Sequence, residues 1–124
     1  MNFDNDKPIY LQLAGYVEEQ ILHQEWQAGH RIPSVRDMAT EVGVNPNTVA
    51  RTFSHLQDQE IIYNQRGIGY FVHEDARSKV LAERRRIFVE EQLPEIVRTM
   101  ELLGISFTDL PLLYEKNNHQ HETD

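Results

Sequence analysis

A mostly α-helical fold is predicted for this chain of 124 residues, and three observations predict it. Apolar residues recur at the helical spacing over most of the length. Near the middle, two short helical stretches are separated only by Gly43-Val44-Asn45, a glycine-containing turn of the kind that joins a helix-turn-helix pair. A β-prone run punctuated by Gly67 and Gly69 follows at once. Three helices and a two-stranded hairpin in this order make an N-terminal winged helix-turn-helix, placed at residues 8–75. A short C-terminal helical segment follows at 76–118, and 119–124 reads as a disordered polar tail.

The first helix is expected from Pro8 to about Gln24. Pro8 suits a first helical position, where its missing N–H costs nothing. Ile9, Leu13, Val17 and Ile21 form an apolar stripe, and Ala28-Gly29 starts the next loop. The second helix begins at Ser34, whose hydroxyl can cap the first turn, with Asp37 three residues on as in a capping box. Val35, Met38, Ala39 and Val42 make its buried face, and Gly43 supplies a left-handed stop. Asn45 then caps the third helix, with Pro46 at its first position. Val49, Phe53 and Leu56 point inward together, leaving Asn47, Thr48, Arg51 and His55 outside.

Ile61-Ile62-Tyr63 and Tyr70-Phe71-Val72 are short strands around Asn64–Gly69, the wing. From Asp75 to about Gly104 the pattern is one long helix, which Pro94 should kink or interrupt. Ser106 with Asp109 is a second capping-box pattern, flanked by Ile105 and Leu110 as a hydrophobic staple. A last helix is expected from Phe107 to about Lys116.

Composition narrows the function. No cysteine is present, which excludes a disulfide framework and thiolate chemistry. No apolar run approaches the roughly 18 residues that span a bilayer. The start MNFDNDKPIY lacks the form of a secretory signal, so a cytoplasmic location is expected. No paired carboxylates, nucleophile–base pair or phosphate loop stands out, so neither an enzyme nor a cofactor is expected. His119 and His121 form an H-x-H without further converging ligands, which argues against a metal site.

The chain has 12 Lys and Arg against 20 Asp and Glu, a net charge of −8, whereas nucleic-acid-binding domains tend to be basic. Between Arg31 and Val72, however, Arg31, Arg36, Arg51 and Arg66 balance Asp37, Glu41, Asp58 and Glu60. Binding to phosphate would rest on a focused arginine patch rather than on an overall field.

The chain resembles the GntR family of transcription regulators, and its YtrA-type branch most. The resemblance covers residues 8–72 and rests on PIYLQL, on G-x-R-I-P-S-V-R-D-M-A, on G-V-N-P-N-T-V-A-R and on R-G-x-G-Y-F-V, in that order and spacing. It implies a DNA-binding winged domain, a short pair of dimerising helices, and repression, often of an operon that includes transporter genes. Many members place arginine where this chain has Pro46 and Ala50, so the DNA contacts of those arginines have no counterpart here.

Candidate DNA-binding residues are Ser34, Arg36, Asn45, Asn47, Thr48, Arg51, Arg66 and Gly67. Arg36 matches a family arginine that contacts DNA, and arginine suits guanine or phosphate through its forked donors. Asn47, Thr48 and Arg51 occupy the outward start of the third helix, where base edges and phosphates are reached. Ser34 and Asn45 are caps first, although a cap at a helix N-terminus also faces any phosphate bound there. Arg66 beside Gly67 would meet the backbone or minor groove from the wing tip. Arg84-Arg85-Arg86 reads instead as a solvated face paired with Glu83, Glu90 and Glu91.

Dimerisation is assigned to Leu81, Phe88, Leu93, Val97, Met100, Leu103, Leu110 and Leu113, because two short helices cannot bury such a stripe alone. A two-fold homodimer implies an operator of inverted half-sites about one helical turn apart. A small-molecule effector of unspecified identity would sit at the domain junction or dimer interface. The competing class is a winged-helix protein-interaction module that does not bind DNA, for which the −8 charge is the best support.

Overall fold

Helix α1 spans Ile9–Leu22 in the computed structural model, which describes the backbone of residue 3 and residues 6–122 and side chains as far as Asn118. Pro8 is the residue before the helix rather than its first member. Its ψ of 142° is extended, and its carbonyl accepts from the Leu11 and Gln12 N–H groups at 3.1 and 3.2 Å. The helix also stops short of Gln24, which turns left-handed at φ 62° and ends the winding. Leu13, Ala14, Val17 and Ile21 face the core, while Ile9 is exposed.

Helix α2, Val35–Val42, and helix α3, Pro46–Asp58, form the helix-turn-helix. Ser34 Oγ accepts the Asp37 N–H at 3.1 Å, satisfying one of the free donors of the first turn. Gly43 stops α2 at φ 69°, and the Val44 N–H reaches back to the Ala39 carbonyl at 3.0 Å. That pair of features is a Schellman stop, which needs the left-handed residue a glycine supplies without strain. Asn45 Oδ1 then accepts the Asn47 N–H at 2.8 Å, and Pro46 opens α3. Val49, Phe53 and Leu56 are fully buried, as their spacing predicts, and Thr52 is buried beside them.

Strands β1, Ile62–Gln65, and β2, Gly69–Val72, pair antiparallel from Ile62↔Val72 to Gln65↔Gly69. The strands therefore run further toward the tip than the apolar runs suggest, leaving Arg66-Gly67-Ile68 as the turn. Gly67 has φ 79°, and the Ile68 N–H closes on the Gln65 carbonyl at 2.9 Å. Residues 29–32 add a short third line of pairing along β2. The Gly29 N–H bonds the Val72 carbonyl at 2.9 Å, the Val72 N–H bonds His30 at 2.9 Å, and the Ile32 N–H bonds Tyr70 at 3.0 Å. The wing is thus stitched to the segment that leads into the Ser34 cap.

Helix α4 covers Ala76–Ile87, and the first of the chain's two units ends inside it, at Arg84. Packing does not divide at residue 75 because Ala76 and Val80 are buried in the winged domain's core. Arg84 also donates to the Gly15 carbonyl at 3.2 Å and to Glu18 Oε1 at 3.1 Å, both on α1. The reading of Arg84 as one of a purely solvated run is corrected by this tertiary tie. Arg86 does follow the expected pattern, bonding Glu90 at 3.0 Å one helical turn on.

The second unit begins at Arg85. The single long helix expected here is broken into α4, a π-helical turn at Phe88–Gln92 and helix α5, Leu93–Leu103. Pro94 explains the interruption: it has no N–H to donate, and its ring crowds the carbonyl four residues back. The wider turn lets the Leu93 N–H bond the Phe88 carbonyl instead. Gly104, at φ 70°, stops α5 with the Ile105 N–H on the Met100 carbonyl at 2.9 Å, a second Schellman stop. The Ser106 N–H then donates to Asp109 Oδ2 at 2.9 Å, and one 3₁₀ turn, Phe107–Asp109, leads into helix α6, Leu110–Glu122. The helix passes Lys116 and takes in residues 119–122, where a disordered tail was expected; residues 123 and 124 lie outside the described ones. No helix of the described residues is long and apolar enough to cross a membrane.

Candidate nucleic-acid interface

The start of α3 is a helix N-terminus that points free backbone donors and short polar side chains outward. Asn45 and Asn47 are exposed and Thr48 is half-buried. Asn45 spends its side-chain oxygen on the Asn47 N–H, which leaves its amide NH2 as a donor. Such a terminus favours negative charge through both its unsatisfied N–H groups and its dipole. One turn on, Arg51 is exposed, and its guanidinium carbon lies 3.9 Å from the centre of the Tyr10 ring on α1.

Arg36 is exposed on the first turn of α2, next to the Ser34 cap, and the Arg36 carbonyl accepts the Thr40 hydroxyl at 3.1 Å. Ser34 is itself committed to capping α2 through the Asp37 N–H. Arg66 and Gly67 are exposed at the tip of the wing. Among the described residues, no carboxylate engages Arg36, Arg51 or Arg66. The arginines that acids do engage lie elsewhere: Arg84 with Glu18, Arg86 with Glu90 and Glu91, and Arg98 with Glu95. The net negative charge is therefore compatible with a local surface of uncompensated guanidinium groups.

Arg31 behaves differently from these three. Its guanidinium donates to the Ile68 carbonyl and lies across Gly69, where an added Cβ would come within 2.9 Å of Arg31 Nε. Arg31 braces the wing turn instead of presenting its charge. The two glycines of the wing accordingly serve two needs, a positive φ at Gly67 and close approach of a side chain at Gly69.

Tyr10 and Thr52, which join α1 to α3, carry no signal in the sequence that marks their contact. The buried Thr52 hydroxyl lies 2.9 Å from the Tyr10 carbonyl and 3.1 Å from that of Thr48, so its one proton is shared between them. Thr52 was legible in principle, since it falls at i+3 from Val49, on the buried stripe. The Tyr10 contact was not, because α1 and α3 are distant in sequence.

The residues assigned to dimerisation are mostly uncovered in the second unit. Phe88, Leu103, Leu110 and Leu113 are exposed, and Leu93 and Val97 are half-buried. Met100 is the exception at 8% exposure, since the α5 stop folds Ile105 back toward it. Val89, Ile96, Leu102, Phe107, Leu112 and Tyr114 are also exposed and enlarge the apolar surface beyond the expected set. Leu81, in the first unit, is half-buried.

Comparison with known proteins agrees with this fold. The family model described as bacterial regulatory proteins, gntR family, matches residues 9–72. The HTH-type transcriptional regulator YhcF of Bacillus subtilis (strain 168) is 36% identical over 104 residues, 84% of this chain and 84% of that protein. The HTH-type transcriptional repressor YtrA of the same organism is 32% identical over 103 residues, covering 83% of this chain and 78% of that protein. A solved GntR family transcriptional regulator from Listeria monocytogenes superposes with a TM-score of 0.75 at 32% identity, over 92% of this chain and 98% of its own. These relatives are regulators of transcription, not enzymes. A winged helix-turn-helix with this turn, wing and short helical C-terminal unit, matched over its whole winged domain, belongs to the GntR family of DNA-binding transcription regulators, among its YtrA-type members.

Proposed function

We propose that the chain is a cytoplasmic repressor that binds an inverted-repeat DNA operator as a homodimer, with α3 in the major groove. The observation that carries this reading is the start of α3, where Asn45, Asn47, Thr48 and Arg51 meet solvent and the arginine has no acidic partner among the described residues. Arg51 reads bases or clamps phosphate, Asn47 and Thr48 contact base edges or backbone, and Arg36 and Arg66 anchor phosphates from α2 and from the wing. Ser34, Asn45 and Gly67 shape the backbone there. Residues 8–75 form the DNA-binding part, with Ala76–Arg84 packed on it, and residues 85–118 carry the dimerising surface. The apolar surface of the second unit supports association, since monomeric proteins seldom leave such patches uncovered. Repression follows the role of the similar repressor YtrA, and control of transporter genes follows the family resemblance.

Selection of bound duplexes from genomic fragments tests the reading. A recurrent inverted repeat with half-sites about one helical turn apart is the expected result. Recovery of no preferred sequence, with no retention on heparin at low salt, would favour a protein-docking use of the same fold, to which the −8 charge lends support.

A further inference from the structure

Three contacts from about one turn of α3 converge on one residue of α1. Thr52 holds the Tyr10 carbonyl at 2.9 Å. His55 meets the Tyr10 ring edge to face, with centroids 5.8 Å apart and planes at 82°. Arg51 lies over the ring itself at 3.9 Å, well within the range of about 6 Å over which a cation is drawn to an aromatic face. Tyr10 is half-buried and fixed by backbone and ring alike, whereas Arg51 is exposed and carries no carboxylate partner among the described residues.

We propose that Tyr10 is a positioning residue for DNA recognition, its ring a platform that holds the Arg51 guanidinium ready before DNA arrives. The proposal rests on the reading of Arg51 as a DNA contact and adds how that side chain is held. A free arginine stem samples many rotamers, and ordering them on binding weakens affinity. Stacking removes that freedom in advance. A cation held by an aromatic face spends none of its N–H donors on a carboxylate, which keeps them for guanine or phosphate. A salt bridge in the same place would occupy those donors. In this acidic chain an aromatic platform therefore orders the cation without neutralising it.

The first test needs no DNA. In the full-length protein, the Arg51 side-chain protons should resonate upfield of those of Arg36 and Arg66, because they lie over a ring. Tyr10→Phe should keep that shift and Tyr10→Leu should remove it. Absence of the shift in the unsubstituted protein overturns the proposal whatever the variants do.

The second test titrates the duplex recovered by genomic selection. Tyr10→Phe should bind within about twofold of the parent, and Tyr10→Leu should lose about two- to fivefold, the scale of an exposed cation–π contact. In an Arg51→Ala background, titrated at salt low enough for its residual binding to be read, Tyr10→Leu should cost nothing further. Equal or tighter binding by Tyr10→Leu, or a loss that persists without Arg51, would overturn the platform role. If Arg51→Ala alone leaves affinity unchanged while the upfield shift stands, the reading of Arg51 fails and takes the proposal with it. Tyr10→Met serves as a second replacement should Tyr10→Leu unfold.

Discussion

Gly69→Ala should unsettle the wing through one contact. The added Cβ would stand 2.9 Å from Arg31 Nε, 3.3 Å from Nη2 and 3.4 Å from Cζ. Real Cβ atoms essentially never come that close, so the guanidinium must shift at the expense of its bond to the Ile68 carbonyl. The lost hydrogen bond contributes about 1 kcal/mol. The backbone adds its own cost, because φ at Gly69 is 152°, a region almost confined to glycine and worth about 1–3 kcal/mol for other residues. The total loss is about 2–4 kcal/mol, which lowers Tm by roughly 10 °C or more in a domain of this size. Urea denaturation of four proteins apportions it: the parent, Gly69→Ala, Arg31→Ala, and the double variant. Gly69→Ala should cost about 1 kcal/mol less when Arg31 is already truncated, leaving only the backbone strain. A cost below about 0.5 kcal/mol, or one unchanged in the Arg31→Ala background, would refute the clash as its cause.

Three further outcomes follow from the same geometry. Gln24→Gly should stabilise the protein by about 0.5–1 kcal/mol, seen as a higher Tm, because it relieves a left-handed residue at the end of α1. Ser34→Ala should destabilise by about 1 kcal/mol in the same measurement, through loss of the α2 cap. Leu113→Glu should shift sedimentation from dimer to monomer. A buried leucine contributes about 1.5–3 kcal/mol, and a two-fold interface counts it twice.

The fold was legible in this sequence where local chemistry decides the backbone. Ser34, Gly43, Asn45 and Pro46 each do in the structure what their side chains predict, so the turn and both helix starts could be read directly. Where a tertiary partner decides, the residues were silent. Arg31 looked like any other arginine of the patch until Gly69 and the Ile68 carbonyl were beside it. Arg84 looked solvated in a run of three, yet Glu18 and the Gly15 carbonyl hold it. Pro94 signalled an interruption, but the spacing that absorbed it lies upstream, at Phe88–Gln92. At the candidate site, the exposed arginines were visible from their motif, whereas the Tyr10 ring beneath Arg51 comes from a helix some 40 residues away.

Binding of the selected operator by α3 is tested most directly by a gel-shift titration of the parent against Arg51→Ala, with sedimentation run in parallel. Loss of specific binding by the variant, its dimer intact, is the predicted result, together with a parent affinity that falls as salt rises. Unchanged affinity in Arg51→Ala would contradict the assignment of α3 as the reading helix.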